Sequence, residues 1–189
     1  MNKFCKKCLF PQTKPDLYFD DDGICDACHS ADRKNGIENA IDWDKRASNF
    51  EDLIYDFKDR ANGWYDCIVP VSGGKDSTWQ VYAMKKIHGM NPLAVTFDQF
   101  DQTETGEYNL EILRSIGVDH IHFTLNPNVV KKLVRKGFDI VGDPYWLNHV
   151  GMFTIPFHIA TKFNIPLVVY GENPQLEYGG PEQSRDNMI

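Results

Sequence analysis

The sequence has no long apolar segment. None of its 189 residues belongs to a run approaching the roughly 18 apolar residues of a membrane span. The N-terminal stretch MNKFCKKCLFPQTKPD has no apolar core of the kind found in signal peptides. Internal repeats and low-complexity tracts are also missing. These absences predict a cytoplasmic globular protein without a membrane partner.

Positive charge is in short supply. The chain has 20 Lys and Arg against 27 Asp and Glu, so its formal net charge at pH 7 is −7. Nonspecific nucleic-acid binding needs a basic face, so a nucleic-acid partner is not expected. With 42% apolar and 25% charged residues, the composition is that of a folded domain and argues against long disorder.

Residues 1–40 show little apolar periodicity, and a segment this short cannot be held by a hydrophobic core alone. They do contain four of the five cysteines, arranged as Cys5-x2-Cys8 and Cys25-x2-Cys28 with sixteen residues between the pairs. This spacing is typical of a closed four-thiolate Zn²⁺ site with a structural or docking role. Free thiols and an iron–sulfur cluster are the alternatives. The fifth, Cys67, is predicted to be an inert core residue.

The rest of the chain alternates between strand and helix patterns. One apolar stripe predicts a helix over residues 43–61. Strands are then predicted at 66–71, 93–97, 120–124 and 166–170, and helices at 77–88, 104–116, 128–136 and 149–163. The alternation predicts an α/β fold, a doubly wound parallel sheet covered on both faces. Residues 171–189 are predicted to be loop, and the sheet to be incomplete at the C-terminus, because such sheets usually have five or more strands.

The most informative motif is Ser72-Gly73-Gly74-Lys75-Asp76-Ser77, which lies between a predicted strand and a predicted helix. The glycines let a ligand approach the backbone, and the helix N-terminus offers free N–H groups and a positive dipole end. The motif suits an anion, most naturally a polyphosphate. It is not a Walker A loop, because Val69 stands where that motif has its first glycine. A glycine-rich turn without a ligand is the alternative.

Residues 71–77 resemble the pyrophosphate loop of the PP-loop ATPases, or N-type ATP pyrophosphatases, which cleave ATP between its α and β phosphates. This resemblance implies that the β,γ-pyrophosphate, with Mg²⁺ close by, is held by Ser72, Gly73, Gly74, Asp76 and Ser77. Lys75 occupies the variable position, and Asp76 and Lys75 are the candidate catalytic residues. The nucleotide or metal site is further expected to include Asp98, Gly171, Glu172 and Asn173.

The whole pattern, with its cysteine pairs, the helix after Ile41-Asp42-Trp43-Asp44 and the segment YDCIVPVSGGKDS, closely resembles the N-acetyl-sugar amidotransferases of bacterial O-antigen and pseudaminic acid (flagellar glycan) biosynthesis. It implies an adenine-nucleotide α-hydrolase-like fold that uses ATP, Mg²⁺ and Zn²⁺. The implied activity converts an acetamido group of a sugar or sugar nucleotide into an acetamidino group, releasing AMP and pyrophosphate. Ammonia would come from a partner glutaminase, because no cysteine here has a glutaminase-type context. A homo-oligomer is compatible with this resemblance.

We therefore expect a zinc-knuckle segment at 1–40, a connecting helix at 41–63 and an ATP-binding domain at 64–189. Members of the resembled family run beyond the point where this chain stops, so truncation is expected. Two other functions stay open. One is a PP-loop tRNA thiolase, although such enzymes use cysteines after the loop and none occurs here. The other is an ATP-binding fragment without turnover of its own.

Overall fold

The computed structural model describes residues 3–13, 17–40, 42–61 and 63–171. The chain divides into two compact units, Met1–Asn49 and Phe50–Ile189. The predicted loop at 172–189, with the candidate residues Glu172 and Asn173, lies outside the described residues. The three-part domain division stays a prediction. Within the described residues, no helix is both long enough and apolar enough to cross a membrane.

The first unit is organised around its cysteines. Two isolated antiparallel bridges, Phe4–Pro11 and Phe19–Cys25, precede the helix α1, Asp26–Ala40. Its buried cluster consists of Cys5, Cys25 and Cys28 with Leu17. The sequence pattern did not predict α1, because the helix lacks an apolar stripe and begins at the second cysteine pair. The cysteines therefore supply the organisation that apolar periodicity does not.

The second unit contains a four-stranded parallel sheet in the order β3-β2-β1-β4. The strands are β1 Cys67–Pro70, β2 Pro92–Phe97, β3 Asp119–Phe123 and β4 Leu167–Val168. In register, Cys67 pairs with Pro92 and with Leu167, and Leu93 pairs with Asp119. All four predicted strands are present, and the predicted parallel α/β fold is confirmed.

The helices around the sheet lie close to their predicted positions. They are α2 Trp43–Arg60, α3 Lys75–Tyr82, α4 Glu104–Ile116, α5 Pro127–Val141 and α6 Trp146–Phe163. A π-helical turn, Ala83–Ile87, extends α3. The predictions for α5 and α6 were too short. Gly142, with φ 78°, ends α5 five residues later than expected, and α6 begins earlier and runs through Pro156.

Alternate strand residues pack on opposite faces of the sheet. On one face Cys67, Val69 and Ala94 join a cluster with Val81 of α3 and Leu113 of α4. On the other face lie Ile68, Leu93, Val95 and the α6 residues Ile159 and Ala160. Every residue of β2 is buried. Both faces are therefore covered by helices, as expected for strands that read as continuous apolar runs.

The strand order places residues 71–77 at the carboxyl end of β1, where the order of the strands reverses. The chain runs from β1 to β2 on one side, and it later returns to place β4 on the other side of β1. This is a topological switch point, beside which open α/β sheets bind ligands at the carboxyl ends of their strands. The glycine loop follows β1 directly and leads into α3.

Candidate functional site

The glycine loop packs tightly against the start of α4. Gly73 has φ +80°, a conformation that L side chains rarely adopt, and a Cβ atom here would clash with the carbonyl oxygen of Gly106. Gly74 is extended (φ −79°, ψ 161°) and forms the N-cap of α3. The first glycine is thus required both by backbone conformation and by lack of space.

The loop carbonyls are engaged by side chains. The four consecutive carbonyl oxygens of residues 71–74 each accept such a hydrogen bond. The donors are Thr96 to Val71 (2.8 Å), Gln102 to Ser72 (2.7 Å), Asn109 to Gly73 (2.7 Å), and Ser77 and Thr78 to Gly74 (3.2 and 3.0 Å). In a trans peptide the N–H points opposite to the preceding C=O. The N–H groups of Gly73 and Gly74 therefore point away from Gln102 and Asn109, whereas the Ser72 N–H donates to the Ser77 hydroxyl.

A cavity of about 450 Å³ adjoins the loop. The ends of β1 and β2, the segment leading into α4, and α6 complete its walls. Polar groups include Gln99, Asp101 and Thr105, whereas Phe97, Met152 and Pro156 form an apolar side. The cavity thus combines backbone amides at a helix N-terminus with an apolar wall, an arrangement suited to a ligand carrying both phosphates and a flat or hydrophobic group.

The structure brings most of the predicted loop residues to this cavity. Ser72, Gly73, Gly74 and Ser77 line it. The Ser77 hydroxyl lies 3.3 Å from the Ser72 nitrogen, from which it accepts, and it donates to the Gly74 carbonyl. This side chain therefore closes the loop on itself.

The other predicted residues lie elsewhere. Lys75 and Asp76 form an ion pair with a 2.6 Å separation in the first turn of α3, where their side chains are 87% and 81% exposed. Asp98 accepts a 2.8 Å hydrogen bond from the Phe100 nitrogen, and its carboxylate is 4.0 Å from Nε2 of His122. These three residues are not among the cavity-lining residues of the described chain, and Gly171 follows β4.

Sequence reasoning missed the residues that hold the loop. Thr96, Gln102 and Asn109 come from the end of β2 and the start of α4, outside any recognised motif. Their only sequence signal is position, since polar residues after β2 must reach the same edge of a parallel sheet as the loop after β1. Asp101, the carboxylate in the cavity wall, carries the same signal.

The four paired cysteines converge on one point. The Sγ atoms of Cys5, Cys8, Cys25 and Cys28 all lie within 4.8 Å of one another. Cys5 and Cys28 are 3.9 Å apart, and Cys8 and Cys25 are 3.7 Å apart. A tetrahedral zinc ion with Zn–S bonds of about 2.3 Å requires sulfur–sulfur separations of about 3.8 Å. The residues present therefore fit a four-thiolate zinc site.

The backbone also favours a thiolate at Cys5. The N–H groups of Cys8, Cys25 and Lys7 lie 3.5, 3.3 and 3.4 Å from its sulfur. Led by the Cys8 N–H, these donors lower the pKa of Cys5 to about 6. Such N–H donors stabilise a metal-binding thiolate by hydrogen bonding to its charged form.

Cys67 is different in kind. It is fully buried at the start of β1, the end of the strand far from the glycine loop, and burial raises its pKa to about 12. All five cysteines belong to the described part of the chain, and none lines the cavity. A thiol is therefore absent from the candidate nucleotide site.

Comparisons with known proteins address the fold. No family model matches the chain. Over 117 residues it is 27% identical to an uncharacterized protein of Methanocaldococcus jannaschii, in an alignment that covers 61% of this chain and 40% of that protein. An NMN synthetase from Francisella tularensis has a TM-score of 0.47 at 13% identity, with 66% of this chain and 52% of that chain covered.

The NH3-dependent NAD synthetase from Campylobacter jejuni, solved with a nitrate ion, is more similar in structure. It has a TM-score of 0.54 at 14% identity, covering 75% of this chain and 62% of that chain. The chain thus spans 40 to 62% of the length of these proteins. The similarity to the NAD synthetase confirms the doubly wound parallel α/β fold.

Proposed function

We propose that the chain binds ATP at residues 71–77 and uses it to convert the acetamido group of a bacterial sugar into an acetamidino group, releasing AMP and pyrophosphate. The observation that carries the proposal is the glycine loop at the switch point, with its carbonyls engaged and its cavity of about 450 Å³. Backbone amides fixed at a helix N-terminus bind polyphosphates well. The loop resemblance supports cleavage between the α and β phosphates.

The proposed reaction has two steps. The amide oxygen of the acetamido group attacks the α-phosphorus of ATP, giving an O-adenylated imidate and pyrophosphate. Ammonia then adds to the imidate carbon, and the C–O bond to AMP breaks with loss of a proton, which leaves the amidine. Adenylation is needed because an amide oxygen is otherwise a poor leaving group. The protein's contribution is positioning and neutralisation of phosphate charge.

Ammonia as the nucleophile has support from the structural comparison. The NAD synthetase of the same fold is NH3-dependent. Because none of the five cysteines of this chain is placed for glutamine hydrolysis, we propose that a partner glutaminase supplies the ammonia. The sugar substrate and a role in surface polysaccharide or flagellar glycan synthesis rest on the resemblance of the whole sequence pattern.

Roles can be proposed for the chain's own residues. Ser72, Ser77 and the amides of Gly73 and Gly74 bind the β and γ phosphates. Asp76, beside the loop, and Asp101, in the cavity wall, supply carboxylate oxygens of the kind that Mg²⁺ prefers. Lys75 adds positive charge at the same helix start. The cysteine cluster would hold Zn²⁺ in a structural role, since four thiolates leave no open position.

The competing sulfur-transfer chemistry lacks a suitable thiol. Thiolation needs a cysteine, or a cluster, that can reach the activated carbon. Here four cysteines converge on one another and the fifth is buried at the opposite end of β1. This placement favours an external nucleophile, ammonia, over a protein-borne sulfur.

The test is product analysis with the whole chain, ATP, Mg²⁺, ammonium and a panel of acetamido sugars. AMP and pyrophosphate would be quantified against ADP and phosphate, and mass spectrometry would follow the replacement of the amide oxygen by NH. AMP together with an amidine sugar is expected. Formation of ADP, or AMP release that depends on tRNA and yields a thiolated base, would contradict the proposal. A parallel reaction with glutamine and a glutaminase tests the ammonia source.

A further inference from the structure

The residues of the loop do not by themselves fix the orientation of the peptides at Gly73 and Gly74. Without Cβ atoms, the peptides around Gly73 and Gly74 have more rotational freedom than any other pair of residues would have. An anion site needs their N–H groups held in one direction before the ligand arrives, because ordering them on binding would weaken affinity. Something outside the loop must fix these peptide planes.

Two side chains contact those planes directly. Gln102 Nε2 donates to the carbonyl of Ser72, and Asn109 Nδ2 donates to the carbonyl of Gly73, each at 2.7 Å. A carbonyl oxygen can only accept, so the amide nitrogens must face it. Because each peptide is trans, the two bonds also set the directions of the Gly73 and Gly74 N–H groups.

Asn109 lies within α4, whereas Gln102 lies just before it. Both side chains hydrogen-bond to the loop from the same side. Asn109 is partly buried in the second turn of α4, next to the buried Leu110. Gln102 lies one residue before Thr103, whose side chain accepts from the Gly106 nitrogen and caps α4. The positions of both donors are therefore fixed by α4. The start of the same helix also places the Gly106 carbonyl so close to Gly73 that no Cβ fits there.

The geometry points to Gln102 and Asn109 as positioning residues for the polyphosphate, which act through the loop peptides. The inference rests on the proposed function, because it assumes that the loop holds the phosphates of ATP. Loss of either donor frees one glycine peptide to rotate. Affinity for ligands that carry phosphate should fall, and affinity for a ligand without phosphate should not.

The test uses neutral variants of similar shape, Asn109→Leu and Gln102→Met, so that no new negative charge repels the anion. Asn128→Leu is the matched control, since Asn128 is exposed at the start of α5 and is not among the cavity-lining residues of the described chain. Calorimetric titration would measure binding of magnesium pyrophosphate, Mg·ATP and adenosine. Circular dichroism and melting temperature would check folding. Gln102→Met should fold in any case, because Gln102 precedes the helix.

Pyrophosphate and ATP should bind about tenfold more weakly to each variant, and adenosine within about twofold of the unaltered chain. Amide NMR supplies a second readout, because pyrophosphate should shift the Gly73 and Gly74 N–H signals less in the variants. Unchanged pyrophosphate affinity in folded variants would overturn the inference. So would equal weakening of adenosine and pyrophosphate, which would indicate a general structural role.

Failure of the proposed function gives a different result. If the unaltered chain binds neither pyrophosphate nor ATP, both proposals fall. If it binds them and the variants behave as expected, but no acetamido sugar becomes an amidine, the positioning role stands and the sugar reaction is wrong.

Discussion

The alpha carbon of Gly73 faces the carbonyl oxygen of Gly106 so closely that no Cβ fits between them. The loop and the start of α4 thus form one packed unit, and this contact predicts the effect of adding a single methyl group. Gly73→Ala must overcome both the φ of +80° and the clash with backbone atoms of α4. The left-handed conformation alone costs about 1–2 kcal/mol for an L residue.

We therefore expect Gly73→Ala to lower the free energy of unfolding by at least about 1 kcal/mol and to abolish measurable ATP binding. Urea denaturation and calorimetry would measure the two effects. Gly63→Ala is the matched control, since a Cβ there meets nothing within 4 Å. A Gly73→Ala chain as stable as the control and still able to bind ATP would contradict the observed packing.

Prediction from sequence succeeded where a residue type or spacing has one usual structural role. The strand around Ile68 reads as continuously apolar because both of its faces are covered, and Gly117, with φ 86°, ends α4 where expected. Cys5 and its three partners were predicted as one site from spacing alone, and their sulfur atoms do converge.

Prediction failed where the information is spread over contacts distant in sequence. Asn109 is an ordinary polar residue in a helix until the fold brings it to Gly73, 36 positions earlier in the chain. Likewise α1 has no apolar stripe, because the cysteine cluster organises its start. Asp76 was selected by its place in a motif, and sequence could not show that its side chain pairs with Lys75 and is 81% exposed.

The environment of His120 predicts how the free energy of unfolding depends on pH. Nε2 of His120 is 2.8 Å from Oγ1 of Thr96, whose proton is donated to the Val71 carbonyl, so Nε2 carries a proton and donates to the hydroxyl. Burial, with His122 and Arg114 nearby, lowers the pKa of His120 from 6.5 to about 4. The unfolded chain therefore binds a proton at higher pH than the native chain does.

It follows that the contribution of His120 to stability is present above pH 6.5 and is lost as the pH falls from 6.5 towards 4. The loss should be smaller in His120→Gln, which cannot become charged. His158→Gln, at an exposed position in α6, is the control and should retain the full loss. Urea unfolding at intervals between pH 6.5 and 4 would measure this loss of stability in each protein. Parallel curves for all three proteins would exclude His120 as a source of the pH dependence.

The cysteine cluster predicts one tightly bound metal ion per chain. Sulfur–sulfur distances of 3.7 and 3.9 Å suit zinc, and elemental analysis of the purified protein should find zinc at about one equivalent. Cys8→Ser should lose the metal and unfold the first unit, because metal binding and folding are coupled in such segments. Iron with visible absorption would instead indicate a cluster.

Cys67→Ala is the control for this experiment. Cys67 is buried in β1, away from the other four cysteines, so this variant should lose stability through its small cavity but keep its metal. Acidification should release the metal from both the unaltered chain and the control, because thiolate ligands bind protons in competition with it.

A close contact on the apolar side of the cavity predicts that one substitution lowers stability and that a second one restores part of the loss. The ring of Phe97 packs on Gly151 of α6 so closely that an added Cβ would clash with it. Phe97 also lines the cavity, so Gly151→Ala should push the ring towards the ligand space. Overpacking of this kind costs about 1–3 kcal/mol of stability.

The double variant Gly151→Ala, Phe97→Leu removes part of the ring and makes room for the new methyl group. It should therefore be more stable than the two single effects added together, since residues in contact couple by about 0.5–3 kcal/mol. Thermal and urea unfolding of the four proteins would complete the cycle. Strict additivity would mean that the clash is relieved by movement of α6 and not by movement of the Phe97 ring.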